Sequence, residues 1–151
     1  MKLAEALMER ADLQRRLVQI RERIKQNALY QEGETPAESV TELLAEYRRC
    51  AGRLETLVVA INRSNQQIVL ADGMPMLEAL ARRERLQNEH AMLSALCEAA
   101  MPDNSRYSRS ELRYVSAVNI AEIRKDADKI AQSCRQLDIL VQQANWVHDL
   151  N

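Results

Sequence analysis

The chain has 151 residues, enough for a domain that buries roughly two-thirds of the surface its unfolded form exposes. Hydrophobic residues make up 46%, with no Phe and only three Gly and three Pro, so the turn chemistry of an all-β fold is missing and helices are favoured. With 21 basic and 22 acidic residues the net charge is −1, which excludes a chain-wide nucleic-acid footprint or an acidic tail. Residues 1–30 nevertheless carry a surplus of basic side chains and residues 31–74 a surplus of acidic ones, an asymmetry that favours their pairing.

Residues 2–30 place Leu3, Ala6, Arg10, Leu13, Leu17, Ile20 and Ile24 three and four apart, which predicts one long helix. Acidic residues at Glu5 and Glu9 stand where a secretion signal needs an apolar stretch, so none is expected. Gly33 and Pro36 mark the connection that follows, with capping boxes at Thr35–Glu38 and Ser39–Glu42. A second helix is predicted from Leu43, Tyr47, Cys50, Leu54, Leu57, Ile61, Ser64 and Ile68, a 4-3 seam that expects a partner along its length. Asp72-Gly73 predicts a turn and Pro75 the first turn of a third helix, with Met76, Ala79, Arg83, Leu86, His90, Leu93, Cys97 and Ala100 on one stripe.

Residues 106–118 break the helical period and suit a short strand or extended arm. A fourth helix begins at Asn119 with Glu122, and its stripe runs through Ile120, Ile123, Ala127, Ile130, Cys134, Leu137, Val141 and Ala144. The tail from Asn145 is expected to be extended and to pair with residues 111–118. No tandem repeat stands out. The expected fold is a single, mainly α domain spanning 1–151: four long amphipathic helices in an antiparallel bundle with coiled-coil-like seams, plus a short extended or β segment near 106–118. Narrow two-in-seven seams bury less than a wide stripe does, so a homo-oligomer is expected.

Catalytic motifs are missing from this pattern. No acidic residue lies three before His90 or His148, so the Glu-x-x-His ligand pattern of a di-metal bundle fails and no metal or cofactor is expected. Gly33, Gly52 and Gly73 form no phosphate-cradling motif. Cys50, Cys97 and Cys134 are dispersed, as in reduced thiols of a cytoplasmic protein. The longest apolar run, Leu57–Ile61, cannot span a bilayer, and the mixed charge of the polar faces argues against a membrane-surface helix.

Polar residues on the seams stand out instead: Arg10, Asn27, Ser64, Asn65 and Arg83. Such residues set register and oligomer state, so Arg10→Ala or Arg83→Ala is expected to change assembly or stability. Alternatively Arg10 and Arg83 supply forked donors to a small polar or anionic ligand, unless Glu9, Asp12 or Glu84 neutralise them. A third expectation is an enzyme pocket at a helix or subunit interface, assembled from Asn62, Asn65, Arg83, Arg106, Arg109 and Glu111. The Arg106–Arg113 stretch has the side chains to grip phosphates, but one such cluster in a slightly acidic chain argues against nucleic acid.

The motifs Glu9-Arg10-Ala11-Asp12-Leu13-Gln14, Gln31-Glu32-Gly33-Glu34, Ile61-Asn62-Arg63-Ser64-Asn65, Arg106-Tyr107-Ser108-Arg109-Ser110-Glu111 and Asn145-Trp146, taken in order, resemble a family of small bacterial helical proteins often labelled septicolysin. The resemblance runs from near residue 3 to near 150. It implies a helical, oligomeric, cytosolic bacterial protein without an established activity, and the label itself implies a pore-forming cytolysin.

Overall fold

The computed structural model describes residues 1–102 and 112–151. It contains four helices, α1 (Leu3–Asn27), α2 (Val40–Gln67), α3 (Met76–Ala99) and α4 (Ile120–Val147), so the mainly α expectation holds. The chain divides into two compact units, Met1–Val69 with Gln142–Asn151, and Leu70–Val141.

In the first unit α1 and α2 form an antiparallel hairpin. Apolar residues three and four apart build its interior, with Leu3, Ala6, Ile20, Leu43, Leu57 and Ile61 buried. Along its edge three ion pairs run in reverse order between α1 and the α2 arm, whose Glu38 lies just ahead of the helix. Arg53 reaches Glu9 with two hydrogen bonds of 2.7 and 2.9 Å. Arg16 Nε donates to Glu46 at 2.9 Å, and Arg23 Nε donates to Glu38 at 2.9 Å. Positions 9, 16 and 23 recur every seven residues on α1; the Arg16 and Arg23 pairs follow the opposite charge surpluses of the two segments, whereas Glu9 with Arg53 runs the other way.

The ends of these helices have physical causes. The α1 helix stops at Asn27, short of residue 30, because the Asn27 amide donates to Arg23 O at 2.9 Å while its oxygen accepts the Glu38 amide at 3.1 Å. That second bond takes the donor that the Thr35–Glu38 box would have used. Helix α2 is capped by Ser39 of the other expected box, whose hydroxyl accepts from Glu42 N at 3.3 Å.

The C-terminal tail corrects an expectation. Helix α4 continues through Val147, and residues beyond it join the N-terminus rather than residues 111–118. Leu3 N donates to His148 O at 3.0 Å and Leu150 N to Met1 O at 2.9 Å, with Lys2 and Asp149 forming an isolated antiparallel bridge. The Lys2 ammonium donates to Val147 O at 3.0 Å, capping the end of α4, and pairs with Asp149 at 3.1 Å. Asn151 N donates to the buried Ser64 hydroxyl at 2.9 Å.

In the second unit, Leu70 N to Met74 O at 2.8 Å and Gly73 N to Leu70 O at 2.9 Å close the turn before α3, with Gly73 at φ 88°. The α3 stripe buries Met76, Ala79, Leu86 and Cys97, and α4 buries Ala127, Leu137 and Val141. Residues 112–118 form neither helix nor strand.

The two hairpins follow a common residue pattern, although no tandem repeat stands out in the sequence. Leu3–Gln14 and Met76–Gln87 share Glu5/Glu78, Ala6/Ala79, Leu7/Leu80, Arg10/Arg83, Leu13/Leu86 and Gln14/Gln87, at a separation of 73 residues. Helices α2 and α4 both have 28 residues, and their caps Ser39 and Asn119 lie 80 residues apart and bind the amides of Glu42 and Glu122 alike. Residues 51–60 and 131–140 have the same burial, position by position. The two separations differ by seven residues, all of them in the longer second connection, and this change of period hides the repeat from inspection.

Candidate functional site

Helix α3 presents Arg83, Gln87 and His90 on one face by 4-3 spacing, and α4 presents Ala131, Cys134, Arg135 and Asp138 toward it. Gln87 and His90 with the four α4 residues line a cleft of about 330 Å³ that includes Ala131 and the half-buried free thiol of Cys134. Arg83 Nη1 donates to Asp138 Oδ1 at 2.8 Å, so these two charges cancel beside the opening. Arg135 is exposed at the rim and His90 is half-buried within. The arrangement puts a guanidinium, an imidazole and an amide around a small apolar floor, which suits binding of a polar head group.

At the end of the same hairpin a second recess, of about 420 Å³, is lined by Leu96, Ala99, Met101 and Pro102 together with Tyr114 and Val115. Tyr114 and Val115 are each 84% exposed.

The sequence-derived candidates fall in different places. Arg10 lies on α1, half-buried, with its Nε buried and without a hydrogen-bond partner among the described residues. Its expected neutralisers are engaged elsewhere, Glu9 by Arg53 and Asp12 by Arg15. Asn62 and Asn65 stand one turn apart on α2, the first exposed and the second half-buried. These three belong to the first unit, whereas Arg83 belongs to the second and takes its partner from α4 rather than from Glu84. Arg106, Arg109 and Glu111 lie outside the described residues. Gln87, Arg135 and Asp138 carry no local signal in the sequence, and His90 and Cys134 stand on the stripes of α3 and α4. A comparison of the two hairpins would have flagged them.

The charged ladder of the first unit perturbs its own carboxylates. Hydrogen bonding to Arg53 holds Glu9 below the ordinary carboxylate value, and Arg16 and Arg23 do the same for Glu46 and Glu38. These pairs lie at the exposed hairpin edge and do structural work. Among the described residues no group of three or more His, Cys, Asp or Glu side chains could hold a metal ion.

The sequence profile of a family of unknown function, DUF6847, matches residues 10–150. The chain belongs to that family. A solved structure, that of a functionally unknown conserved protein from Corynebacterium diphtheriae, is 38% identical to this DUF6847 chain, with a TM-score of 0.91 over 100% of this chain and 99% of the other. Both hairpins are therefore shared with that relative. No curated protein matches the chain. Neither the family's description nor that of the corynebacterial protein names a lytic activity, and nothing in them corresponds to the label septicolysin. Among the described residues no helix is long and apolar enough to cross a membrane.

Proposed function

We propose that this DUF6847 protein is an assembly and binding module: a helical scaffold that associates with further copies of itself through the second hairpin. The observation that carries the reading is the pair Tyr114 and Val115, each 84% exposed at the rim of an apolar recess lined by Leu96, Ala99 and Met101. An apolar projection beside an apolar recess on one unit is the self-complementarity that an isologous dimer contact needs. Burying a side chain of the size of valine is worth about 1.5–3 kcal/mol, so covering Tyr114 and Val115 with a second copy favours association. The three free cysteines suit the reducing cytoplasm, and the corynebacterial relative supports a bacterial setting.

Native mass spectrometry with light scattering tests the reading. The wild-type chain is expected as a discrete oligomer, and Tyr114→Ser with Val115→Ser is expected to yield smaller species with unchanged helix content. A wild-type chain that stays monomeric at tens of micromolar would overturn it.

A further inference from the structure

The divergence between the two hairpins singles out the α3–α4 cleft. Two of its lining residues are the same in both copies: Gln87 matches Gln14, and Ala131 matches Ala51. Three seam positions differ in kind. Leu17 of the first hairpin becomes His90, Leu54 becomes Cys134 and Val58 becomes Asp138, while exposed Glu55 becomes Arg135. Each pair has the same burial in its own hairpin, so these are equivalent places carrying different chemistry.

Half-buried seam positions between two helices are most stable when apolar, as the first hairpin has them. Replacing three of them with polar or soft side chains works against packing, yet all three replacements open onto one cleft. The pair with Arg83 accounts for Asp138, but neither that pair nor packing gives a reason for His90 and Cys134 to open onto the same cleft; a ligand does. Its charge follows from the lining. Arg83 cancels Asp138 at 2.8 Å, which leaves Arg135 as the uncompensated charge of the lining among the described residues, with His90 and Gln87 as further donors. The volume of about 330 Å³ is at the small end for ligand sites.

We infer that the second hairpin has diverged into a binding site for a small anion bearing a phosphate or carboxylate head group, held by Arg135, His90 and Gln87 with its body over Ala131 and Cys134. The site stands independently of self-association, because it uses neither Tyr114 nor Val115.

The test is a ¹⁵N-resolved titration of the full-length chain with inorganic phosphate and, separately, with succinate. Saturable shifts confined to amides of residues 87–90 and 131–138 are expected with at least one probe. The probe that binds identifies the head group. Arg135→Glu, an exposed change that restores the residue type of the first hairpin, is expected to weaken binding at least about tenfold. His90→Leu is expected to weaken binding while raising Tm, since it returns an apolar residue to the seam. Absence of saturable shifts with both probes, shifts elsewhere only, or affinity unchanged in Arg135→Glu would overturn the inference. So would a lower Tm in His90→Leu, because the histidine would then be serving the packing.

Discussion

Arg83 and Asp138 meet across the second hairpin at 2.8 Å, whereas their counterparts in the first hairpin are Arg10 and Val58, a pair that can form no ion bridge. The consequence is visible at Arg10, whose Nε is buried and unpartnered among the described residues. Arg83 has its carboxylate partner, whereas Arg10 Nε has none among the described residues.

The two arginines should therefore respond differently to the same substitution. Methionine keeps the aliphatic stem that packs along the helix and removes the guanidinium. Arg83→Met strips the partly exposed Asp138 of its partner and is expected to cost up to about 1 kcal/mol, or about 2–4 °C in Tm. Arg10→Met removes a buried unpaired donor and is expected to be neutral or stabilising. Paired thermal melts check this, and an Arg10→Met loss as large as that of Arg83→Met would contradict it.

The α1–α2 ladder predicts acid sensitivity with a definite sign. Glu9, Glu38 and Glu46 are held below the ordinary value of 4.5 by Arg53, Arg23 and Arg16. A depressed carboxylate binds its proton more readily when unfolded, so its stabilisation is complete above about pH 4.5 and is lost as pH falls through the lowered folded values. Urea midpoints measured from pH 7 to pH 3 are expected to hold near neutrality and drop below that point. Glu46→Gln is expected to lower the plateau and flatten the drop, and 1 M NaCl to shrink both, since the Debye length is then about 3 Å.

The joined termini predict a local effect. Ser64→Ala removes the acceptor for Asn151 N, a bond of 2.9 Å at a buried hydroxyl, and is expected to cost about 0.5–1.5 kcal/mol. Lys2→Met removes the cap on Val147 O and the pair with Asp149. Hydrogen exchange is expected to speed up at the amides of Leu3 and Leu150 in both variants, with the centre of α2 unchanged. Uniform acceleration would mean that the joined termini are coupled to the whole hairpin.

The helices were legible because spacing of apolar residues is a local property. Leu43, Leu57 and Ile61 mark the buried face of α2 wherever its partner lies, and Ser39 caps it through an amide three residues away. The end of α1 was not legible. Whether Asn27 closes the helix or Thr35 opens the next depends on the return of Glu38 to Asn27, which no short window contains. The tail failed for the same reason, since Leu3 N and His148 O are far apart in sequence. Of the candidate site, sequence reading found Arg83 but missed Asp138, because their pairing requires the register of α3 on α4.

The sequence by itself determined four amphipathic helices, their stripes and the caps at Ser39 and Asn119, since each rests on contacts within a few residues. Only the tertiary structure decided which charges pair, where the termini go, and that His90, Cys134, Arg135 and Asp138 share one cleft. Those relationships join residues distant along the chain, and their geometry exists only once the helices have packed in register.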